Sequence, residues 1–376
     1  MGRFRDVELD DVELADERVV LRRWRPDDAE RVFEVMRDPS MRQFLALPDP
    51  YTREVADRWV TELGHEGRGE GTGLGCAMAE RASGHLVGAA ALRLGGDPEI
   101  GYWVAPDARG HGYAARASTL LTDWAFSLGL RRVRLACDVR NLASVRTALA
   151  AGFQFEGVAR DGGASAAVEG VPPLVADLAR FARLPDDPPG PLPLAFPVLP
   201  PDALSDGVLQ LRTTREDDAT ALWETDDAVA QSWSFTGEPE MLDRVRRTAA
   251  RAGLDWLVGG IARLSMVDVA SGRVAGAVQL RKAGPPQVGG IGYGVHPDFR
   301  GRGYTARALR LLSPWAFDTA DFARLELGAK AANEASLRAA AAAGFEPDGV
   351  RKRRLRNPDG SFSDEVRYAL INPKYA

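Results

Sequence analysis

The chain has 376 residues and a formal net charge of −5, and 45% of its residues are hydrophobic. This length allows two or three domains that each bury a core, and the acidic balance argues against non-specific nucleic-acid binding. No apolar run reaches the length of a membrane span and the N-terminus lacks an apolar signal segment, so we expect a cytoplasmic protein that does not enter a membrane. Two cysteines cannot form a disulfide framework, and the four histidines lack metal-ligand spacing, so no metal is predicted.

The first half begins with a strand, two helices and three more strands. A strand at 19–23 precedes Arg25-Pro26-Asp27-Asp28, which opens a helix to about residue 37, because proline and aspartate suit a first turn. The paired aspartates are interpreted as helix caps rather than as a catalytic dyad. The other expected elements are a helix over 51–63 and strands over 76–80, 86–94 and 99–104.

A glycine turn, Arg109-Gly110-His111-Gly112-Tyr113-Ala114, follows the strand that ends at residue 104. It leads into a predicted helix over 113–128, and a strand over 132–139, a helix over 141–151 and a strand near 174–181 complete this half. Glycines let the backbone approach a ligand closely, and the amides at a helix N-terminus point outward together. The pattern therefore favours a site for a phosphate group, whereas a single copy would also suit an ordinary turn.

The second half repeats this order. Residues 109–126 and 300–317 are identical at twelve of eighteen positions, so the glycine turn returns as Arg300-Gly301-Arg302-Gly303-Tyr304-Thr305. A repeat of this length indicates a duplicated domain rather than a repeat array. The expected elements are strands over 209–212, 262–269, 274–281, 290–295, 324–329 and 366–371, and helices after 215–219, over 241–252 and over 333–343.

A proline-rich stretch separates the two halves. Residues 185–201 contain eight prolines in seventeen positions, which favours a semi-extended linker. We expect an N-terminal domain over 1–184, a linker over 185–204 and a C-terminal domain over 205–376. Either a monomer or a dimer is compatible with this organisation.

The ordered motifs resemble the GCN5-related N-acetyltransferase (GNAT) superfamily in both halves, most closely its ribosomal-protein alanine acetyltransferases of the RimJ/RimL type. In the first half they are Glu99-Ile100-Gly101-Tyr102-Trp103-Val104 with Pro106, Arg109-Gly110 with Gly112-Tyr113-Ala114, Trp124-Ala125-Phe126, Asn141 with Ser144, and Ala151-Gly152-Phe153. In the second half they are Ile291 to Pro297, Arg300 to Tyr304, Trp315-Ala316-Phe317, Asn333 with Ser336, and Gly344-Phe345.

The resemblance implies two tandem α/β domains, each with a bent, mixed and largely antiparallel sheet flanked by helices. It also implies acetyl-CoA as the acyl donor and a primary amine as the acceptor, either a protein N-terminus or a small molecule. An acidic protein would favour cationic acceptors by steering. The residues that the resemblance assigns to donor binding are Val104, Arg109, Gly110, His111, Gly112, Tyr113, Ala114 and Asn141 in the first half, and Val295, Arg300, Gly301, Arg302, Gly303, Tyr304, Thr305 and Asn333 in the second.

Acyl transfer from a thioester needs a deprotonated amine, a donor to the oxyanion and a stabilised leaving thiolate. The backbone N–H near Val104 is the oxyanion donor that the superfamily implies. Glu99 is the candidate general base, and a surface carboxylate is its alternative. Ser144 and Ser336 are the candidates for a position near the thiolate. Alternatively, Ser144 is only a residue of the first turn of a helix that Asn141 caps.

Several positions depart from the family pattern. Arg116 and Arg307 stand where the family often has Glu, Thr305 replaces a small residue, and Gly290 replaces the candidate base Glu99. The first half is therefore expected to be the better-equipped catalytic domain. The alternative is a protein that binds acyl-CoA or a partner through one or two catalytically decayed domains.

Overall fold

We describe the protein from a computed structural model, over residues 12–65, 72–94, 97–163, 175–199, 204–233, 239–357 and 359–375. Internal contacts divide the chain into a first unit, Met1–Pro193, and a second unit, Leu194–Ala376. We retain the proposal of two domains joined by 185–204, of which 200–203 lie outside the described residues. No helix of the described ranges is long and apolar enough to cross a membrane.

The first unit is built on a mixed sheet of eight strands with helices packed against it. Its strands are β1 (Leu14–Ala15), β2 (Val19–Arg22), β3 (Gly73–Glu80), β4 (Leu86–Arg93), β5 (Glu99–Val104), β6 (Val133–Asp138), β7 (Gln154–Ala159) and β8 (Leu178–Arg183). Its helices are α1 (Asp28–Met36), α2 (Arg53–Thr61), α3 (Tyr113–Ser127) and α4 (Leu142–Ala150). The sheet order is β1-β2-β3-β4-β5-β6-β8-β7, and β5 and β6 pair in parallel whereas their neighbours pair antiparallel.

The second unit repeats the architecture with seven strands in the order β14-β15-β13-β12-β11-β10-β9. They are β9 (Leu209–Thr213), β10 (Ile261–Asp268), β11 (Val274–Lys282), β12 (Val288–Val295), β13 (Arg324–Lys330), β14 (Glu346–Arg356) and β15 (Phe362–Ile371). The helices are α5 (Ala219–Trp223), α6 (Ala228–Trp233), α7 (Leu242–Ala250), α8 (Ala252–Leu254), α9 (Tyr304–Asp318) and α10 (Glu334–Ala342). Here β12 and β13 form the parallel pair, and the fold expected from the sequence is confirmed in both units.

The aspartates at the start of α1 and before α5 accept the Arg25 and Arg215 amides, each at 2.9 Å, as expected of residues that cap a helix start, and each also forms an ion pair. Asp28 accepts two hydrogen bonds from the Arg22 guanidinium, at 2.7 and 2.8 Å, and both side chains are 7% exposed. Asp218 and Arg212 repeat the pair with two bonds of 2.7 Å. Each ion pair fastens a strand, β2 or β9, to the helical segment that follows it, and the capping interpretation did not include this pair.

The proline-rich stretch contributes contacts to each unit at its two ends. The Leu192 amide donates to the Leu149 carbonyl in the first unit. In the second unit Phe196 is fully buried, with ring centroids 5.5 Å from Trp256 and 6.2 Å from Trp315. The apolar residues of this segment therefore pack into a core, which its proline content does not indicate.

The sequence located most elements to within a few residues and missed β1, β7, β14, α6 and α8. The strand β14 carries the basic run Arg351-Lys352-Arg353-Arg354, whose side chains are exposed at the edge of the second sheet. Charged side chains on an edge strand obscure the alternation that identifies a strand, and they also discourage strand pairing between molecules.

Candidate active site

The parallel strands at the centre of each sheet separate along their length. In the first unit β5 pairs with β4 from Glu99 to Val104, but its pairing with β6 is limited to Glu99 and Ile100. In the second unit the parallel pairing of β12 with β13 ends at Gly290. Beyond these residues each central strand has one edge without a neighbouring strand, which opens a gap in the sheet.

One backbone amide at the open end of each gap, that of Val104 or Val295, faces away from the paired strand β4 or β11. The Ala105 amide donates to the Val87 carbonyl and the His296 amide to the Ala275 carbonyl, each at 2.9 Å. Because successive amides of a strand point to opposite sides, the N–H groups of Val104 and Val295 face the gap. The Val104 amide is the oxyanion donor that the family resemblance implies, and the Val295 amide is its equivalent in the second unit; the role of both remains a prediction.

A glycine loop follows each open strand and begins the next long helix. The φ angles of Gly110, Gly112, Gly301 and Gly303 lie between 74° and 81°, and a Cβ atom at any of them would meet no atom within 4 Å. Glycine is therefore required by the left-handed backbone conformation and not by crowding. The space beside the loop is open, and the first amides of α3 and α9 are directed into it.

The loop arginines use their side chains within the protein. The Arg300 guanidinium makes two hydrogen bonds to Asp227, at 2.7 and 2.8 Å, and its Nε donates to the Val295 carbonyl at 3.3 Å. These bonds hold the pKa of Asp227 down to about 2. In the first unit Arg109 instead contacts the Met41 sulfur at 3.2 Å. Arg109 and Arg300 would thus serve a bound phosphate through their backbone.

The remaining loop side chains also anchor the loop. His111 Nδ1 lies 3.0 Å from the Arg109 carbonyl, and the Arg302 guanidinium stacks on Phe299. The Tyr113 hydroxyl donates to Glu80 at 2.7 Å, and Tyr304 makes the same kind of bond to Asp268. Ala114 and Thr305 occupy the second position of their helices, where Ala114 is buried and Thr305 is half-buried.

The arginines that depart from the family pattern have equivalent partners in the two units. Arg116 donates to Asp16 at 2.8 Å, and Arg307 donates to Asp206 at 2.5 Å. Both aspartates lie just before the strand that leads to the first helical segment of their unit. These substitutions are therefore explained by ion pairs that attach the long helix to the chain preceding that strand.

The serines predicted near the thiolate lie at the start of α4 and α10. Asn141 Oδ1 accepts the Ser144 amide and Asn333 Oδ1 accepts the Ser336 amide, both at 3.1 Å, so both asparagines cap a helix. In the second unit the Ser336 hydroxyl lies 2.7 Å from the hydroxyl of Tyr293 on β12. This contact brings the serine to the wall of the gap.

The equivalent tyrosine of the first unit is arranged differently. The Tyr102 hydroxyl is buried near Ser144 and Thr147, yet it has no hydrogen-bond geometry with any described residue. Burial raises the pKa of Tyr102 and of Tyr293, so both phenols stay protonated at neutral pH. Burial also raises the pKa of Cys137, on the neighbouring strand, to about 12, which makes this thiol a poor nucleophile.

The candidate base Glu99 lies at the paired end of β5, away from the open end. Its carboxylate makes ion pairs with Arg93 at 2.9 Å and Arg134 at 3.3 Å. In the second unit Gly290 is paired in register with Glu326, which is itself bonded to Arg324 and Arg367. In both units the carboxylate at or beside this position is ion-paired with arginines, so a role for Glu99 as base remains a prediction.

The face of the central strand next to the first helical segment differs between the units. In the first unit Trp103 stacks on Trp24, with ring centroids 6.5 Å apart. In the second unit the equivalent residue is Gly294, and a Cβ atom there would meet only the Thr225 hydroxyl, at 3.8 Å. Two indole rings therefore fill a space in the first unit that is open in the second.

A cavity of about 220 Å³ lies in the second unit, between residues on both sides of Thr225 in the chain. Its lining residues are Trp223, Glu224, Asp226, Asp227, Gln231, Pro239 and Glu240. Sequence reasoning missed this cavity, because its carboxylates come from short helices and connections with little periodicity. Among the described residues, no group of three or more His, Cys, Asp or Glu side chains is placed to hold a metal ion.

Comparison with known proteins identifies the same domain twice. The family model described as Acetyltransferase (GNAT) domain matches residues 18–154 and 209–346. N-acetyltransferase p20 of Bacillus licheniformis is 26% identical over 153 residues, which cover 39% of this chain and 85% of that protein. N-acetyltransferase YjcK of Bacillus subtilis is 30% identical over 103 residues, which cover 27% of this chain and 56% of that protein.

Solved structures resemble about half of the chain. A ribosomal-protein-S5-alanine acetyltransferase from Vibrio fischeri is 20% identical, with a TM-score of 0.40, and covers 45% of this chain and 95% of its own. The Microcin C7 self-immunity acetyltransferase MccE, in complex with acetyl-CoA and AMP, is 18% identical, with a TM-score of 0.41, and covers 46% of this chain and 98% of its own.

Proposed function

The chain belongs, in both halves, to the GNAT acetyltransferase family and is an N-acetyltransferase, and from this premise we propose that it transfers the acetyl group of acetyl-CoA to a primary amine by direct attack on the thioester. The observation that carries the proposal is the split pair of parallel strands followed by a glycine loop, which occurs in each unit. The family match accounts for the donor, and the acceptor is inferred from the site.

The loop and gap fit acetyl-CoA on physical grounds. The pyrophosphate is an anion, and it would accept hydrogen bonds from the outward-directed amides at the start of α3 and α9, where the helix dipole also favours negative charge. A methyl group at Gly112 or Gly303 would project into this open space. The pantetheine arm has amide groups that can pair with the free edge of β5 or β12.

The reacting groups then fall at the open end of the gap. The N–H of Val104 or Val295 would donate to the oxyanion that forms when the amine attacks the carbonyl carbon. The carbon–sulfur bond then breaks, and the hydroxyl of Ser144 or Ser336 would donate a hydrogen bond to the departing thiolate. In the second unit Tyr293 holds that serine, because its protonated phenol lies 2.7 Å from the serine oxygen.

The acceptor is proposed to be cationic before it reacts. Four carboxylates line the cavity of the second unit, from Glu224, Asp226, Asp227 and Glu240, together with the indole of Trp223. Carboxylates and an aromatic ring attract a protonated amine. Either a protein N-terminus or a small amine has this charge.

Calorimetric titration of acetyl-CoA into the full chain tests donor binding without an acceptor. We expect two sites per chain, of which Gly112→Val removes one and Gly303→Val removes the other. Gly129→Val and Gly284→Val are matched controls, because these glycines also have positive φ and open space around Cβ but lie outside the two loops. Absence of binding to the wild-type chain would sink the proposal.

A second candidate is that one unit binds acyl-CoA without turnover. Two arrangements in the first unit favour it for that unit: Arg93 and Arg134 neutralise Glu99, and Trp24 and Trp103 fill the adjacent face. Under this reading Gly112→Val removes one binding site but leaves acetylation of the amine unchanged. Equal loss of turnover from Gly112→Val and Gly303→Val would contradict it.

A further inference from the structure

We propose that Glu224, held by His296, is the general base of the second unit and that the cavity beside it receives the acceptor amine. The inference rests on the proposed acetyl transfer and supplies a group that the reaction needs, since Gly290 stands at the position of the candidate base of the first unit. It also assigns to the cavity a class of substrate, namely a primary amine that is protonated when it binds.

His296 places the dyad at the reacting end of the gap. It follows Val295, whose N–H faces the gap, and its own amide is fixed to the Ala275 carbonyl at 2.9 Å. The residue is 7% exposed, and its Nε2 lies 3.2 Å from a carboxylate oxygen of Glu224. A buried imidazole at this position can hold a carboxylate beside the thioester.

The hydrogen bonds of His296 assign its tautomer. The Asp298 amide donates to Nδ1 at 3.2 Å, so that nitrogen carries a lone pair and the ring proton sits on Nε2. The imidazole therefore donates to Glu224, and the other carboxylate oxygen, which has no hydrogen-bond partner among the described residues, can accept a proton. This resembles the logic of catalytic triads, in which a fixed partner orients the group that moves the proton.

Further contacts connect the cavity wall with the end of β12. Glu224 is bonded to His296, and the next residue, Thr225, has its hydroxyl 3.8 Å from the Cβ position of Gly294. Asp227 is bonded to Arg300, which in turn donates to the Val295 carbonyl. These contacts connect the cavity wall with Val295, so in this proposal the amine approaches the oxyanion donor from the cavity, past Gly294, which carries no side chain.

The proton and electron balance is simple. The ammonium form of the acceptor gives one proton to the Glu224 carboxylate, which returns it to solvent, and the freed lone pair forms the carbon–nitrogen bond. The carbon–sulfur bond then breaks and its electron pair leaves with the CoA sulfur. The nitrogen loses a second proton as the amide forms, and the CoA thiolate takes up one proton through solvent, so one proton is released overall.

The first unit offers a built-in contrast. Glu34 follows the ion-paired Asp28 at the same spacing as Glu224 follows Asp218, but it contacts Arg31 at 3.4 Å. The residue after Val104 is Ala105, which has no imidazole to hold a carboxylate. Glu34→Gln is therefore a matched control for Glu224→Gln.

The test uses the full chain with Gly112→Val, which confines donor binding to the second unit. Acetyl transfer is followed with benzylamine, which is protonated at neutral pH, and with phenylhydrazine, which has a similar shape and is neutral. Loss of a general base costs about 10²–10⁴-fold in rate, so we expect Glu224→Gln to lower kcat with benzylamine by at least about a hundredfold. With phenylhydrazine we expect a much smaller loss, because its nucleophilic nitrogen needs no prior deprotonation.

The affinity for acetyl-CoA and the thermal unfolding temperature should stay unchanged in Glu224→Gln, and Glu34→Gln should be without effect. His296→Gln should lower kcat about tenfold and add no further loss to Glu224→Gln, because His296 acts only through the carboxylate. Glu224→Asp should recover part of the rate.

The possible outcomes separate this inference from the proposed function. An equal loss with both amines, or no loss at all, would overturn the role of Glu224 while leaving acetyl transfer intact. Activity in the wild-type chain that disappears with Gly112→Val would overturn it too, because it would place turnover in the first unit. If the wild-type chain binds acetyl-CoA but acetylates neither these amines nor a broader panel, the proposed function falls together with the inference.

Discussion

The two units share a fold and a glycine loop but differ on the face of the central strand at which we propose that the acceptor enters. In the first unit the stacked rings of Trp24 and Trp103 occupy the face of the central strand. In the second unit Gly294 leaves that face open beside a cavity lined by carboxylates. The two copies thus keep the split strands and the glycine loop, and they differ on the proposed acceptor side.

The leaving-group side differs as well. Tyr293 is within hydrogen-bond distance of Ser336, whereas the hydroxyl of Tyr102 is buried without a hydrogen-bond partner among the described residues. The sequence favoured the first half as the catalytic domain, because the second half has Gly290 at the position of Glu99. The contacts of Glu99 with two arginines weaken that argument, and the second unit offers the more complete set of groups.

The largest expected effect is on stability and concerns the arginine–aspartate ion pair that both units contain. Asp28→Asn should lower the free energy of unfolding of the first unit by about 3–5 kcal/mol, because it leaves the buried Arg22 guanidinium without its counter-charge. Asp218→Asn should cost the second unit less, because Arg212 is 24% exposed against 7% for Arg22. Urea unfolding measures both, with exposed Asp27→Asn as the control, and a larger effect from Asp218→Asn would contradict this comparison.

The acceptor face of the second unit can be closed deliberately. Gly294→Trp should reduce acetyl transfer by that unit at least about a hundredfold, because displacing an acceptor by even 1 Å has an effect of that size. The number of acetyl-CoA sites, measured by calorimetry, should remain the same. If turnover survives the tryptophan, the open face is not the route by which the amine enters.

A smaller difference is expected on the leaving-group side. Tyr293→Phe should lower kcat of the second unit about tenfold, the worth of one hydrogen bond, with little change in the affinity for acetyl-CoA. Tyr102→Phe should change turnover by less, because the Tyr102 hydroxyl has no hydrogen-bond partner in the part of the chain that the structure describes. Steady-state kinetics in chains that carry Gly112→Val or Gly303→Val measure the two units separately. Equal losses of kcat from Tyr293→Phe and Tyr102→Phe would contradict the proposed difference on the leaving-group side.

The smallest effect is a pH-dependent one at the glycine loop of the second unit. The Arg300 guanidinium lowers the pKa of Asp227 from 3.8 to about 2, so the pair stabilises the fold fully above pH 3.8 and loses this contribution as the pH falls toward 2. Asp227→Asn should therefore lower the unfolding temperature at neutral pH. The loss in free energy of unfolding should be less than about 1 kcal/mol, because the pair is partly exposed. The difference from wild type should shrink in melts between pH 4 and pH 2, and a difference that stays constant would exclude this ion pair as its cause.

The duplication, the family and the glycine loops could be predicted from the sequence because each depends on local patterns. A left-handed turn needs glycine at Gly112 and Gly303, and a helix that follows it needs an apolar face, so both leave a mark within a few residues. The same holds for Asn141 and Asn333, whose capping role is set by the residue three positions later. These features come out alike in the two units.

Tertiary structure alone decided which side chains meet across distant segments. Glu224 and His296 are 72 residues apart, and Tyr293 and Ser336 are 43 apart, so no local pattern links them. Whether Glu99 is a free base likewise depends on Arg134, which reaches it only because β5 and β6 pair in parallel. Local conformational preferences therefore settled the two glycine loops at which we propose that acetyl-CoA binds, whereas long-range packing settled which carboxylates pair with arginine and which surround the cavity of the second unit.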